Sequence, residues 1–474
     1  MVGSFGGAQA LGAKAGEAMK VSIIIPIIRP EKAKRCLGLI EKNAGIPESD
    51  YEVITEIDHN RIGCPEMVRK LVARTKYDLV CFLGDDTLPR KDFLKTALGC
   101  MESTGKGLIG LNDRSGRILP THFLAHKRLL PVVGGDFFHC GYYHCFCDNE
   151  LKDLANEANE YVYCDDAVVD HDHPECDKNF NEWDHDLRVV YENKKFYGDR
   201  DLYFERKAAR LDRFGIGFPM ASRPSDNDFW LSFIGANKPN FILLTPRIEV
   251  YEYAHNIAMI RNDLVRQAQW FGVSKLIMMD TDQTYPPDVV DKLLRHKGAR
   301  VVGAPVHRRY PPYDIIMLRG GVRNYVHVPD EEIYSGDLVE VDCIGTGCIY
   351  FDMSIFREIK YPWFSISMFK DDAIDNIREL ISTNGIGMAE LKEKIKKQVD
   401  MACDWRPVGE DVSLCSRIRE KGIKIYVDTS IDIEHHTQFR VNRETYQAYK
   451  KFSGFKWKNQ GDKTINKERN DGRF

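Results

Sequence analysis

An apolar strand that runs into two aspartates one residue apart constrains this 474-residue chain more than any other feature. Residues 276–279 form a short apolar run of the kind that a buried parallel strand shows. Asp280 and Asp282 follow, and Pro286 and Pro287 then open a helical pattern. The spacing predicts that both carboxylates lie at the carboxyl end of a strand, where open α/β sheets bind their ligands.

The same arrangement occurs earlier in the chain. Residues 79–83 are apolar, Asp85 and Asp86 follow, and a proline and a helical pattern come next. An isolated Asp-x-Asp would usually only mark a turn. Its repetition predicts two related domains, each with a pair of hard oxygen ligands that suit Mg2+ or Mn2+ shared with substrate phosphates.

Alternating strand and helix patterns predict the fold class, which is α/β with two domains in tandem, each a mostly parallel sheet flanked by helices. The opening strands are expected at residues 21–26 and 241–246, and the helix-prone segment 365–400 is expected to be an insertion in the second half. We expect a flexible leader over 1–18, an amino-terminal domain over 19–210, a linker over 211–237, a carboxyl-terminal domain over 238–447 and a basic tail over 448–474.

Composition and charge narrow the class of protein. The chain has 43% hydrophobic and 29% charged residues, and its net charge of -4 predicts no general affinity for polyanions. No stretch approaches the roughly 20 apolar residues of a membrane span, and the amino terminus lacks the order of a signal peptide, so we expect a cytoplasmic protein. The 13 cysteines include no Cys-x-x-Cys pair and do not predict a disulfide framework.

Each half also carries an acid at a helix start and a late histidine. His171 lies 23 residues after Asp148, and His435 lies 24 residues after Asp411, which Glu410 precedes. Such a set suits the attack of a hydroxyl on a carbon that bears a nucleoside diphosphate. A metal would neutralise the departing group, a carboxylate would accept the hydroxyl proton, and the histidine would complete the metal shell.

These residues resemble the metal-dependent GT-A glycosyltransferases, most closely the inverting family-2 type, and the resemblance covers most of both halves. It implies a nucleotide-sugar donor, with UDP as the nucleotide by family habit, and Mn2+ or Mg2+ as the metal. It implies a glycan or another hydroxyl as the acceptor and inversion by a single in-line displacement. Two such sites on one chain could add two sugars in succession.

In the second half the resemblance assigns metal binding to Asp280, Asp282 and His435, with Asp280 also contacting the donor. It makes Asp411, with Glu410, the catalytic base. The donor-binding set is completed by two residues at the end of the expected opening strand and by a loop that lines the pocket: Thr245, Pro246, Gly345, Gly347 and Trp363.

In the first half the resemblance assigns metal binding to Asp86 and His171. It makes Asp148 the base, with Glu150 as a substitute. Cys147 stands where Glu410 stands in the second half, a departure that bears on the activity of the first site. The donor-binding positions implied here are Pro26, Asp58, at the position that usually meets the base of the nucleotide, and Asp85.

Several alternatives stay open on the residues alone. An acid before a helix is often only a cap that the helix dipole favours. Rival functions are a glycan- or nucleotide-binding protein with one or both sites inactive, and a sugar nucleotidyltransferase, which shares strand-end acids. A zinc site is another interpretation of a group of histidines and cysteines, namely His139, Cys140, His144, Cys145, Cys147, His171, His173 and Cys176.

The carboxyl tail alternates basic and aromatic residues. Residues 449–474 carry eight lysines and arginines interleaved with Phe452, Phe455 and Trp457. This pattern is typical of a solvated chain end, and the alternative is contact with nucleic acid or a membrane surface. Some viral glycosyltransferases resembling this type act on modified bases, so a hydroxylated base in viral DNA is a minor alternative as the acceptor.

Overall fold

The structure is a computed structural model of the chain, and the residues that it describes fall into two compact units. Unit 1 extends to Lys207 and unit 2 begins at Ala208. The predicted leader over 1–18, most of the predicted insertion and the tail beyond residue 453 lie outside the described residues. The described residues are 19–173, 194–220, 227–247, 256–321, 324–366, 390–396, 408–436 and 441–453.

Unit 1 alternates strands and helices, as the apolar patterns predict. Its strands are β1 (Val21–Ile27), β2 (Tyr51–Ile57), β3 (Leu79–Phe82), β4 (Thr87–Pro89), β5 (Leu108–Asn112), β6 (Phe123–His126) and β7 (Tyr161–His171). Its helices are α1 (Pro30–Asn43), α2 (Cys64–Val72), α3 (Phe93–Thr104), α4 (Cys147–Glu157) and α5 (Lys194–Leu211), the last of which contains the boundary between the units.

The central strands of the unit 1 sheet are buried on both faces. Its strand order is β2-β1-β3-β6-β5-β7-β4, with β6 antiparallel to both of its neighbours. Ile23 and Ile25 of β1 pack into a core with α1 and α3, and Ile24 packs into the opposite core with α2 and α4. This two-sided burial explains why the opening strand is a continuous apolar run rather than an alternating one.

Unit 2 has a larger set of elements around its own sheet. Its strands are β8 (Arg213–Gly217), β9 (Ile242–Leu244), β10 (Val273–Met279), β11 (Gln283–Thr284), β12 (Val301–Gly303), β13 (Met317–Arg319), β14 (Val326–His327), β15 (Leu338–Val341), β16 (Cys343–Ile344), β17 (Cys348–Asp352), β18 (Ile425–Asp428) and β19 (Glu434–His435). Its helices are α6 (Asn227–Gly235), α7 (Ile257–Trp270), α8 (Val289–Leu294), α9 (Asp330–Ile333), α10 (Ile355–Glu358), α11 (Glu410–Glu420) and α12 (Arg443–Ser453).

The two sheets share a strand order. In unit 2 it is β15-β18-β12-β17-β10-β8-β9, which reverses to β9-β8-β10-β17-β12-β18 followed by the edge strand β15. Six strands thus correspond to β2-β1-β3-β6-β5-β7, and β17 is antiparallel to its neighbours as β6 is. Both units are mixed α/β structures in which the acidic strand, β3 or β10, lies inside the sheet.

The opening strand of unit 2 lies in the range that the sequence predicts as a linker. β8 pairs in parallel with β10 and β9, which gives it the position that β1 holds in unit 1. The predicted opening strand at 241–246 is instead the edge strand β9. β8 does not stand out as an apolar run in the sequence because two of its five residues are glycines. A Cβ at Gly215 would lie 3.0 Å from Val273 Cγ1, which is closer than an ordinary contact, so Val273 would have to shift to admit a larger residue.

No helix among the described residues is both long enough and apolar enough to cross a bilayer.

Replacement of Ile216 by alanine tests the assignment of β8. The Ile216 side chain is 0% exposed in the core of unit 2, so its truncation should lower the stability of that unit by about 2–5 kcal/mol. Leu231, in the same predicted linker, is 69% exposed, and Leu231→Ala should leave stability within about 0.5 kcal/mol. Thermal unfolding of both variants tests whether residues 213–217 form a core strand. Equal melting temperatures for the two variants would contradict that strand and favour a linker over 211–237.

Candidate functional site

In unit 2 the end of the acidic strand meets a histidine that is distant in the sequence. β11 begins directly after Asp282 and pairs antiparallel with β19, which places Gln283 opposite His435. The N–H of His436 donates to the Asp282 carbonyl at 2.8 Å. As a result, His435 Nε2 lies 3.5 Å from Asp282 Oδ1. The predicted pair of metal ligands is therefore brought together.

The hydrogen bonds of His435 suit a metal ligand. A carbonyl oxygen can only accept, so His435 Nδ1 donates its hydrogen to the His307 carbonyl. The other ring nitrogen, Nε2, faces the Asp282 carboxylate, and when that nitrogen carries no hydrogen its lone pair and the carboxylate can ligate one cation. Burial raises the pKa of Asp282, but His435 and Arg309 outweigh it and lower that pKa overall. The donor set of one imidazole and one carboxylate fits a divalent metal.

A buried arginine joins the acidic strand to the helix that carries the predicted base. Arg261 on α7 is 3% exposed, and its Nη2 donates to Asp280 Oδ1 at 2.9 Å. Its Nη1 donates to the Thr346 carbonyl at 3.0 Å, and its Nε lies 3.7 Å from Glu410 Oε1. Burial lowers the pKa of Arg261, but the carboxylates of Asp280 and Glu410 raise it overall. Arg261 thus stays charged. It holds together β10, α11 and the loop that carries Gly345 and Gly347, which we call the glycine loop.

Asp411 lies in the first turn of α11, where it is partly buried. Its Oδ1 accepts the N–H of Val412 at 2.8 Å, and burial raises the pKa of its carboxyl. Burial also raises the pKa of Glu410. A Cβ at Gly409 would lie 2.4 Å from Asp411 Oδ1, so this glycine makes room for the carboxylate. A carboxylate with a raised pKa accepts a proton more readily than an ordinary one.

The glycine loop approaches the acidic strand through one of its two predicted glycines. The N–H of Asp280 donates to the Gly347 carbonyl at 2.7 Å. A Cβ at Gly347 would lie 2.4 Å from Gln283 Nε2 and 3.1 Å from Asp280 Oδ2, whereas a Cβ at Gly345 would meet only ordinary contacts, the nearest at 3.7 Å. Gly347 is therefore the residue whose backbone must lie this close to the acids.

Unit 1 repeats the aspartate and histidine pair in the same register. β4 begins directly after Asp86 and pairs with the end of β7, so that Thr87 lies opposite His171. His171 Nε2 lies 3.3 Å from Asp86 Oδ1, and the N–H of Asp172 donates to the Asp86 carbonyl at 3.0 Å. Burial raises the pKa of Asp86, but the charge and hydrogen bond of His171 outweigh it and lower that pKa overall.

The two carboxylates predicted as bases in unit 1 have different surroundings. Asp148 accepts a hydrogen bond from Thr121 Oγ1 at 3.1 Å, and burial raises the pKa of its carboxyl. Glu150 is 3% exposed, and both of its oxygens accept from Arg206 Nε, at 2.8 and 3.0 Å. Because this ion pair occupies Glu150, the structure does not support its predicted role as a substitute base.

Asp85 is engaged by the loop that follows β1. Its oxygens accept the N–H groups of Ile28 and Arg29, at 2.7 and 2.6 Å, and the guanidinium of Arg29. Counting back from the paired residues Thr87 and Gln283, the counterpart of Asp282 is Asp86, and the counterpart of Asp280 is Gly84. Asp85 therefore anchors this loop, and its contact with a donor stays a prediction.

The remaining predicted donor positions lie at strand ends and in the core. Asp58 follows β2, and its oxygens accept the N–H groups of Ile62 and Gly63, at 3.0 and 3.1 Å, which shapes the loop before α2. Trp363 is 5% exposed in the core, and its indole N–H donates to the Phe356 carbonyl, so it is not free to line a pocket. Pro26 lies in the opening strand β1 as predicted, whereas Thr245 and Pro246 follow the edge strand β9 and not the opening strand.

The described residues contain one further cluster of ligating side chains, in unit 1. One ligand atom from each of Asp113, His122 and His171 lies within 4.8 Å of the other two. Burial lowers the pKa of His122 to about 3. Of the residues in the zinc alternative, only His171 belongs to this cluster, and Cys176 lies outside the described residues. That alternative gains no support from the part of the chain that is described.

Sequence reasoning missed the buried partners of the acids. Arg261 and its neighbours Asn262 and Asp263 are all buried in α7. Arg261 falls on the apolar stripe of this helix, four residues after Ile257 and three before Leu264, which is a signal that could have been used, since such a group is buried only when it is paired. The sequence gives no such signal for Thr121 and His122. These residues directly precede β6, and their positions near Asp148 and His171 depend on how β6 pairs with β3.

Comparisons with known proteins give distant matches. No protein-family model matches the sequence, and no curated protein matches it. Among solved structures, A197 from STIV is 14% identical, with 48% of this chain and 86% of that chain covered and a TM-score of 0.29. The mannosyltransferase PcManGT from Pyrobaculum calidifontis, in complex with GDP-Man and Mn2+, is 13% identical, with 41% and 65% covered and a TM-score of 0.32.

A third match is S. aureus TarS 1-349 in complex with UDP-GlcNAc. It is 13% identical, with 40% of this chain and 66% of that chain covered, and its TM-score is 0.30. Glycosyltransferase structures with bound nucleotide sugars are thus among those to which the chain is similar. Likeness at these TM-scores carries no functional argument, so function must be argued from the sites themselves.

Replacement of Gly347 by alanine tests the close approach of the loop to β10. The added Cβ would overlap the buried amide of Gln283 and push against Asp280, which should lower the stability of unit 2 by about 1–3 kcal/mol. Gly345→Ala, two residues earlier, has room and serves as the control. Thermal unfolding should separate the two variants, and an unchanged melting temperature for Gly347→Ala would refute the described packing.

Proposed function

We propose that the chain is a metal-dependent glycosyltransferase with two GT-A units in tandem, and that it moves sugars from nucleotide-sugar donors to a hydroxyl acceptor. One observation supports this function above the others. In both units an aspartate at the end of a parallel strand lies 3.3–3.5 Å from the Nε2 of a late histidine. A partly buried acid at the start of a helix, Asp148 or Asp411, completes the set in each unit.

The residues of unit 2 fit a metal shared with a diphosphate. Asp282 and His435 would hold Mn2+ or Mg2+, and Asp280 lies two residues from Asp282 at the same strand end. When bound, such an ion stabilises the negative charge that develops on the departing diphosphate. Arg309 Nη1 lies 2.9 Å from Asp282 Oδ2 and supplies a positive charge of the chain's own beside the same carboxylate. This charge distribution suits a nucleoside-diphosphate sugar, and UDP as the nucleotide rests on the family resemblance.

Asp411 is the residue that we assign as the base in unit 2. Its carboxylate would accept the proton of the acceptor hydroxyl as that oxygen attacks the sugar. One base for each site suffices for a single in-line displacement, which inverts the anomeric configuration. Glu410 and Arg261 are positioning residues in this scheme, because Arg261 holds Asp280 and approaches Glu410. The acceptor class is a glycan or another hydroxyl compound, with a hydroxylated base in DNA as a minor alternative.

Departures in unit 1 favour a second candidate function for that unit. Gly84 stands where unit 2 has Asp280, Cys147 stands where unit 2 has Glu410, and Asp85 is bound by Arg29. Unit 1 would then bind a nucleotide or a glycan without turnover, while unit 2 carries the transfer. A sugar nucleotidyltransferase is the remaining alternative, and release of pyrophosphate from UTP in the presence of a sugar phosphate would identify it.

Replacement of the paired aspartates tests the proposal and assigns turnover to a unit. A panel of nucleotide sugars is first screened by thermal shift with Mn2+, since a ligand that binds the native state raises the melting temperature. For the donor so found, Asp282→Asn should lower metal-dependent release of the nucleotide at least about 100-fold, because the loss of a ligand weakens the metal site. Asp86→Asn should have a similar effect only if unit 1 also turns over.

Asp291→Asn serves as the matched control, since Asp291 is an exposed aspartate of α8 in the same unit. It should leave the rate unchanged. If neither Asp282→Asn nor Asp86→Asn lowers nucleotide release, the assignment of these sites to glycosyl transfer is wrong.

The pH dependence of transfer tests the role of Asp411. Because burial raises the pKa of Asp411 above its ordinary value of 3.8, the base is protonated and inactive at low pH. The kcat/KM should therefore rise with pH through an acid limb that lies above the ordinary carboxyl range. Asp411→Asn should abolish this limb and lower kcat by about 100- to 10,000-fold. An acid limb that persists in the residual activity of Asp411→Asn would contradict the assignment.

A further inference from the structure

A cavity lies at the end of the unit 2 sheet opposite to the candidate site. Its volume is about 830 Å3, and the residues that line it include Arg213 at the start of β8, Arg300 directly before β12, and Asp352 at the end of β17. The parallel strands of the sheet begin here. Lys275 of β10 also lines the cavity and lies five residues before Asp280, about 16 Å along an extended strand. The cavity is therefore separate from the predicted metal and donor residues.

Three aromatic side chains line the cavity and are held in place by the core. Phe214 of β8 and Tyr350 of β17 are each 8% exposed, and both belong to the part of the core that α6 and α8 cover. Phe241 packs edge-on against Phe233 of α6, with 5.8 Å between the ring centroids. Rings that are already fixed offer a flat apolar surface to a ligand at little further cost in entropy.

Positive charge predominates around the cavity. Four of the lining residues are lysines or arginines, and two are aspartates. Lys275 and Arg300 each form an ion pair with a carboxylate. Within the part of the chain that the structure describes, Arg213 and Lys297 have no carboxylate partner, and Arg213 Nη1 donates to the Phe271 carbonyl at 3.0 Å. Two positive charges are thus available to an anionic group.

Two polar groups in the cavity lack a full set of partners. The hydroxyl of Tyr350 makes no hydrogen bond to the described residues, and burial raises its pKa to about 12, so it keeps its hydrogen at neutral pH. Asp352 Oδ1 accepts the N–H of Ser354 at 2.8 Å, which leaves the other oxygen without a partner among the described residues. A purely apolar ligand, such as a fatty acyl chain, would cover both groups without satisfying them. The cavity suits a ring whose edge carries hydrogen-bond donors and acceptors.

We infer that this cavity is a second ligand site of unit 2 and that it binds a nucleoside phosphate without a metal. The base would lie against the three aromatic rings, and its edge would meet the Tyr350 hydroxyl and the Asp352 carboxylate. Arg213 and Lys297 are the cations available to the phosphate. The strand order places β8 and β12 three strand spacings apart, about 14 Å, which is wide enough for a mononucleotide. The volume is also in the range of small-molecule sites.

Calorimetric titration of the full chain with AMP, GMP, CMP and UMP in the presence of EDTA tests this inference. EDTA removes the divalent ion on which the proposed donor sites depend. We expect at least one of the four nucleotides to bind, and to bind about tenfold or more tightly than ribose 5-phosphate, which has no ring to stack. Lys297→Glu should weaken binding of that nucleotide about tenfold or more, because a hydrogen bond between charged groups is lost and a repulsion replaces it. Lys297 is exposed, so this variant should fold.

Lys421→Glu is the matched control and should leave the affinity unchanged. Lys421 is an exposed lysine that follows α11, and α11 packs on the other face of the sheet. Arg213→Gln is a second variant with the same expectation as Lys297→Glu. The inference is overturned if none of the nucleotides binds in EDTA, if ribose 5-phosphate binds as tightly, or if both variants keep the affinity of the unaltered chain. Because no metal, sugar donor or acceptor is present, the outcome is independent of glycosyl transfer, and either proposal can fail alone.

Discussion

The organisation of both sites depends on one short antiparallel contact. In each unit the residues directly after the acidic strand pair with a late segment, which places Thr87 opposite His171 and Gln283 opposite His435. A backbone hydrogen bond to the carbonyl of the second aspartate holds each pairing in register. Since the side chains of a strand alternate between faces, a slip of one residue would turn each histidine away from its carboxylate. The Asp–His geometry is therefore a property of backbone register.

The two units use this shared framework with different chemistry. Unit 2 surrounds its acids with buried polar partners, of which Arg261 is the centre, and keeps a Glu-Asp pair at the start of α11. Unit 1 binds its first aspartate to Arg29 and has a second imidazole, that of His122, beside His171. The corresponding strand order shows that such divergence needs no change in the sheet, because the differences lie at strand ends and in the loops that follow them.

Much of the fold could be predicted from the sequence. The apolar runs at β1, β3 and β10 identify strands buried on both faces, and the matching intervals to the late histidines indicate a repeated plan. The features that the sequence did not predict are local. β8 is short and contains two glycines, so its pairing partners and not its own composition make it a strand. The partners of the acids could not be foreseen either, since Asp85, Glu150 and Trp363 each find a buried contact that only the tertiary structure supplies.

The position of β8 has a practical consequence for dividing the chain. A fragment that begins at residue 238, where the apolar pattern first becomes obvious, would lack the strand that lies between β9 and β10. The flank of β10 would then present unpaired N–H and carbonyl groups, the kind of sheet edge at which chains associate with one another. Separate expression of the second half should therefore start ahead of Arg213. A fragment without β8 is expected to aggregate through the unpaired edge of β10, whatever the state of its candidate site.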